Sequence, residues 1–143
     1  MRVLLATDGS ASADCARDLI ATLTWPQGTV VRVVIAVEAH LELLPPFAVL
    51  PGNIVDELDA ELVRHAEATL DAAERVIRDA GLEVERLIIQ ERAADAILDQ
   101  AREWGADLVV LGNRGHSSMA ALVLGSTSAE VVDHAPCPVL IVR

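Results

Sequence analysis

Residues 108–115 of this chain read LVVLGNRG, and a glycine-serine pair, Gly125-Ser126, follows after nine further residues. The apolar first half of the stretch is typical of a buried parallel strand, which Gly112 ends. The segment from Ser126 to Ala135 has the pattern of a helix with Ser126 as its N-cap. A glycine-rich turn between a strand and a helix is where open α/β sheets bind their ligands, so this stretch indicates both the fold class and the site.

Four residues of this turn, Gly112, Gly115, Gly125 and Ser126, predict a phosphate-binding surface made of backbone, which we call the glycine cradle. Glycine lacks a Cβ, so the backbone approaches a ligand closely. Free N–H groups at a helix start favour an anion, and Thr127 adds one more N–H and a hydroxyl. The chain has no lysine among its 11 basic residues, which excludes a Walker A loop.

The spacing Gly-2x-Gly-9x-Gly-Ser resembles the ATP-binding signature of the universal stress protein family. Three further stretches are similar to that family: RVLLATDGS at residues 2–10, VVIAV at 33–37, and GSTSAEVVDHAPCPVLIVR at 125–143. The resemblance implies a protein that binds ATP with Mg²⁺ and acts as a stress-response regulator through partners. Its physiological ligand stays open among ATP, AMP and cyclic AMP.

The resemblance also implies roles for individual residues. Asn113 and Arg114, between the first two glycines, would contact phosphate or ribose, although Arg114 is equally well explained as a solvated loop charge. Val37 falls where the family uses backbone N–H and C=O groups to bind the adenine edge. Ala6 and Thr7 would lie nearby on the first strand.

Asp8 follows the first strand and is expected to face the same crevice as the glycines. A carboxylate there accepts hydrogen bonds from a ribose or holds a Mg²⁺ that it shares with phosphates. The simpler alternative is a turn aspartate that hydrogen-bonds its own backbone. With the family resemblance, the binding role is favoured.

Composition favours one α/β domain over residues 1–143. Hydrophobic residues make up 52% of the chain and aromatic residues only 2%, which disfavours an all-β sandwich. The formal net charge of −11, without a basic patch, argues against nucleic-acid and membrane partners. Two distant cysteines, Cys15 and Cys137, together with the lack of a signal-like segment, predict a cytoplasmic protein with reduced thiols.

Periodicity predicts alternating strands and helices. We expect strands at 2–7, 29–37, 83–89, 107–112 and 138–142, and helices at 12–24, 54–80, 93–104 and 126–135. The second helix should carry two i,i+4 ion pairs, Asp71 with Arg75 and Glu74 with Arg78. This order predicts a doubly wound, Rossmann-like parallel sheet with helices on both faces, and the resemblance implies strand order 3-2-1-4-5.

Enzyme signatures are mostly absent, so the chain is not expected to be an efficient enzyme. No Gly-x-Ser-x-Gly elbow occurs, and no lysine is present to neutralise a γ-phosphate. A slow ATPase and a nucleotide-free interaction module of the same fold remain the alternatives. Glu91 occupies a position where many family members carry glycine, and its charge would disfavour a triphosphate if it faced the crevice.

The last strand is expected to form a homodimer. Its apolar residues lie at the edge of the predicted sheet, and such edges are usually paired or covered. The resemblance implies antiparallel pairing of this strand across a two-fold axis. The alternative is a monomer in which the loop at 38–53 covers the edge. The residues concerned are Val139, Leu140, Ile141 and Val142.

Overall fold

A computed structural model describes residues 1–38, 52–115 and 124–143, without the side chains of 52–56. Its five strands form one parallel sheet in the order β3-β2-β1-β4-β5, which confirms the predicted fold class and strand order. The elements in chain order are β1 (Arg2–Ala6), α1 (Ala11–Thr22), β2 (Val30–Ala36), α2 (Gly52–Asp79), β3 (Glu83–Ile89), α3 (Ala93–Glu103), β4 (Leu108–Gly112), α4 (Ser126–His134) and β5 (Val139–Val142).

The apolar strands are buried because helices cover both faces of the sheet. Alternate residues of β1 point to opposite faces, so Leu5 packs in a cluster with α1 and α2, whereas Leu4 packs in a cluster with α3 and α4. Ile20 of α1 and Val131 of α4 are fully buried in these two clusters. The core is aliphatic, as the composition predicts.

Of the two ion pairs predicted within α2, one is present and the other is not. Arg78 pairs with Glu74 at 2.7 Å, as the i,i+4 spacing predicts. Asp71, however, pairs with Arg86 of β3 and not with Arg75, so this part of the prediction is wrong. Arg86 also contacts Glu67 at 3.0 Å and Glu74 at 3.2 Å, because the sheet places it beside three acidic residues of the helix.

The strand order opens a crevice at the carboxyl edge of the sheet. β1 and β4 are neighbours, with Ala6 opposite Leu111. Helix α1, which follows β1, packs on one face, and α4, which follows β4, packs on the other. The chain therefore departs in opposite directions from these two strands, which is the switch point where open α/β sheets bind ligands. Within the described ranges, no helix is long and apolar enough to cross a membrane.

Candidate functional site

A pocket lies at this switch point and brings most of the predicted site residues together. Its lining includes seven of them: Ala6, Thr7, Asp8, Gly112, Arg114, Gly115 and Thr127. The remaining lining residues were not predicted from the sequence: Ala13, Val34, Ala36, Ala93, Ile97, Leu111 and Ser128. Several of these have small or aliphatic side chains, whose type alone does not distinguish a pocket wall from a core position.

Four predicted residues lie outside this lining. The backbone N–H of Val37 donates to the carbonyl of Ile89 at 2.8 Å, so it is used within the sheet, and the predicted contact with adenine would rest on the Val37 carbonyl. Asn113 is held on both sides, because its N–H donates to Val142 at 2.7 Å and its carbonyl accepts from Gly125 at 2.9 Å. Gly125 and Ser126, at the start of α4, are the other two residues outside the lining.

The N-cap of α4 is Gly125 and not Ser126, so the predicted cap is wrong by one residue. Gly125 has an extended backbone, with φ −63° and ψ 153°, and no side chain caps the helix. The hydrogen bond from its N–H to Asn113 holds it there, and its own carbonyl accepts the first helical bond, from Ala129. Ser126 is therefore the first helical residue, and its side chain is exposed.

The three glycines of the cradle differ in their surroundings. A Cβ on Gly112 would collide with the Ser12 hydroxyl and lie 2.8 Å from the backbone nitrogen of Ala13. A Cβ on Gly115 would lie 2.5 Å from Oδ2 of Asp8. A Cβ on Gly125 would approach nothing closer than 3.4 Å. The packing of α1 against β4 is thus sufficient to require Gly112, whereas close packing does not explain Gly125.

Asp8 takes part in the turn after β1 and also lies beside the glycine cradle. Its Oδ1 accepts the backbone N–H of Ser10 at 3.0 Å, which is the turn interaction of the simpler alternative. Its Oδ2 lies toward Gly115, on the side of the glycine cradle. Gly9, between the two turn residues, has φ +78°, a conformation that favours glycine. One carboxylate oxygen therefore shapes the turn while the other faces the pocket.

Serine hydroxyls hold the start of the glycine-rich loop. Ser12 donates to the carbonyl of Arg114 at 2.5 Å, and Ser10 donates to the same carbonyl at 3.3 Å. Ser128 of α4, only 4% exposed, donates to the carbonyl of Gly112 at 2.9 Å. Sequence reasoning missed the contacts of Ser10 and Ser12 because more than a hundred residues separate these serines from Arg114. A buried hydroxyl on the inner face of a predicted helix would have been the available signal.

Charged residues surround the start of α3, next in sequence to the pocket residue Ala93. Arg92 bridges two helices, contacting Asp95 of α3 at 2.8 Å and Glu130 of α4 at 2.6 Å. Side-chain hydrogen bonds from Arg92 lower the pKa of both carboxyls. Oε1 of Glu38 accepts the backbone N–H of Ala93 at 2.9 Å, at the start of α3. Glu91 is exposed and lies outside the pocket lining.

Comparison with known proteins identifies the same family that the glycine spacing and the flanking stretches resemble. The model of the universal stress protein family matches residues 1–143. Universal stress protein YxiE of Bacillus subtilis is 30% identical over 145 residues, covering 99% of this chain and 98% of the relative.

Solved structures share the fold. Hypothetical protein MJ0577 superposes with a TM-score of 0.86 at 20% identity, covering 99% of this chain and 94% of that one. A universal stress protein in complex with cAMP has a TM-score of 0.71 at 26% identity, with coverage of 100% and 96%. Since the family match runs from the first residue to the last, and the sheet has the strand order that the family resemblance implied, this chain belongs to the universal stress protein family.

Proposed function

We propose that this chain binds an adenine nucleotide, ATP with Mg²⁺, in the pocket between β1 and β4, and that it acts as a regulatory protein in a stress response. The observation that carries the proposal is the juxtaposition of Asp8 and Gly115 beside the start of α4, in one pocket at the switch point of the sheet. A relative of the same fold was solved in complex with cAMP, which supports an adenine nucleotide as the ligand class.

The two sides of the pocket suit the two ends of a nucleotide. On the side of β2 and α3, the wall is formed by Val34, Ala36 and Ile97, whose small or aliphatic side chains suit a flat base. On the side of β4 and α4, Gly115 and Thr127 present backbone next to a helix start, which suits phosphate. The ribose would lie between these sides.

Asp8 is the residue that would hold a Mg²⁺ bound with the nucleotide. Carboxylate and phosphate oxygens are the ligands that Mg²⁺ prefers, and it usually binds through one or two carboxylates together with substrate phosphates. Oδ1 of Asp8 accepts the N–H of Ser10, and Oδ2 lies toward Gly115, so Oδ2 is the oxygen that would face a cation beside the glycine cradle. The cation would offset the charge of the phosphates beside this carboxylate.

Calorimetry with ATP, AMP, cAMP and GTP tests the proposal. The wild type should bind the adenine nucleotides in preference to GTP, and ATP more tightly with Mg²⁺ than without it. Gly115→Val and Gly125→Val should both weaken ATP binding at least about tenfold, because a branched side chain stands where backbone must meet phosphate. Ala68→Val, an exposed position on α2 outside the pocket, is the control and should bind ATP normally.

Two results would contradict the proposal. Unchanged ATP affinity in well-folded Gly115→Val and Gly125→Val proteins would remove the glycine cradle from the site. A folded wild type that binds none of the adenine nucleotides would instead favour an interaction module in which the same glycines serve only the fold.

A further inference from the structure

The carbonyl of Arg114 lies against the first turn of α1. Ser12 donates to it at 2.5 Å, which is shorter than the bond from Ser10 at 3.3 Å. The Ser10 hydroxyl also accepts the backbone N–H of Ala13 at 3.4 Å, as the N-cap of α1. Ser10 is thus shared between the helix start and the loop, and Ser12 is the closer donor to the Arg114 carbonyl.

Ser12 can approach the loop because Gly112 has no side chain. The position of a Cβ on Gly112 is filled by the Ser12 hydroxyl and by the backbone of Ser12 and Ala13. Ser12 therefore lies in the space that Gly112 leaves open, and Gly112 itself lines the pocket. Its hydroxyl bonds the loop two residues beyond Gly112.

Holding this carbonyl sets the direction of the next amide. The peptide between Arg114 and Gly115 is planar, and none of the described peptide bonds is cis. In a trans peptide the C=O and the N–H point in opposite directions. A carbonyl directed at α1, on one face of the sheet, therefore directs the Gly115 N–H away from α1. The pocket extends on that side, toward Ala93 and Ile97 of α3.

We propose that Ser12 is a positioning residue, whose hydroxyl holds the Arg114–Gly115 peptide so that the Gly115 N–H points at the phosphates of a bound nucleotide. The proposal rests on the proposed nucleotide binding. It adds a residue outside the glycine spacing and explains why a polar side chain of α1 contacts the loop. Ser12 acts through the backbone and makes no contact with the ligand.

The test compares Ser12→Ala with the wild type in calorimetric titrations with ATP and with adenosine, which has no phosphate. ATP affinity should fall about fivefold, the effect of one net hydrogen bond, while adenosine affinity stays the same. Ser12→Cys keeps bulk against Gly112 with a weak donor and should behave like Ser12→Ala. Thr22→Ala is the matched control, because its hydroxyl bonds Leu19 at the far end of the same helix.

A second readout does not need a ligand. The ¹⁵N relaxation order parameter of the Gly115 amide should be lower in nucleotide-free Ser12→Ala than in the wild type, moving from about 0.85 toward the flexible range below about 0.6. Thr22→Ala should leave it unchanged. This measurement reports on the peptide that Ser12 is proposed to hold.

Three results would overturn the proposal: wild-type ATP affinity in Ser12→Ala, an equal loss of ATP and adenosine affinity, or an unchanged order parameter at Gly115. If the wild type binds neither ATP nor adenosine, the proposed function fails. In that case the order parameter alone decides whether Ser12 holds the loop.

Discussion

Gly112 and Gly125 belong to one sequence signature, but replacing them should have different effects. Gly112→Ala places a Cβ against the backbone of α1, which cannot move without shifting the helix, so we expect a loss of about 1–3 kcal/mol in the free energy of unfolding. The Cβ that Gly125→Ala adds has its nearest neighbours at 3.4 Å, an ordinary van der Waals contact. It should cost at most about 1 kcal/mol, the usual effect of alanine at an N-cap.

Urea denaturation of the two alanine variants and the wild type measures this difference. The midpoint should fall clearly for Gly112→Ala and only slightly for Gly125→Ala, with unchanged m-values. Equal losses of stability would show that the two glycines have the same structural role, contrary to the contacts of α1.

At the scale of elements, Arg92 connects the start of α3 to α4. Its hydrogen bonds lower the pKa of Asp95 and of Glu130, so Arg92→Gln should raise the pKa of both carboxyls toward their usual range. Arg102→Gln is the control, because Arg102 pairs with Asp99 on the same helix at 2.9 Å. Carboxyl ¹³C chemical shifts followed through a pH titration measure the effect.

The sign of the pH dependence follows from these shifts. A carboxyl whose pKa is lower in the folded state stabilises the fold above its unfolded pKa and loses this contribution as the pH falls through the folded pKa. The contribution of Asp95 and Glu130 should therefore be lost below about pH 4. Asp95 is exposed and Glu130 is partly exposed, so the effect on stability should be small. A pKa of Glu130 that is unchanged in Arg92→Gln would contradict this account.

At the scale of the whole molecule, β5 forms one edge of the sheet, next to β4 only. Its apolar side chains, Val139–Val142, are half-buried in the isolated chain. We predict that two copies pair through this edge, because an unpaired apolar edge strand tends to acquire a partner. The loop at 38–53, offered above as an alternative cover, lies largely outside the described residues.

Sedimentation velocity at micromolar concentration tests the dimer. The wild type should be dimeric, and Leu140→Lys should be monomeric because it adds a charge to the paired edge. Leu58→Lys, at a position 54% exposed on α2, is the control and should remain dimeric. A monomeric wild type would rule the dimer out.

Turnover of ATP should be slow or absent. The chain has no lysine, so transition-state charge would have to be stabilised by backbone, arginine and a bound cation. A phosphate-release assay should therefore show a rate far below the range of about 1–1000 per second that is typical of enzymes. Several turnovers per second, abolished by a single substitution in the pocket, would instead identify an ATPase.

Local pattern predicted the strands and helices, and the family resemblance added the strand order from which the position of the pocket follows. Apolar runs such as 109–111 are buried on both faces, and a run of this kind is typical of a central parallel strand. The strand order that the resemblance implied places the ends of β1 and β4 at the switch point, so Asp8 and Gly115 could be assigned to one crevice before their contacts were known.

Only the tertiary structure decided contacts between residues that are distant in sequence. Asp71 has an arginine four residues away, yet it pairs with Arg86 because β3 lies beside α2. The hydrogen bond between Ser12 and Arg114 joins residues 102 positions apart. Sequence spacing determines neighbours within one helix or strand, whereas these contacts depend on how α1, α2 and the strands pack together. The sequence by itself therefore determined the fold class and the location of the pocket, and packing determined which side chains hold the glycine-rich loop.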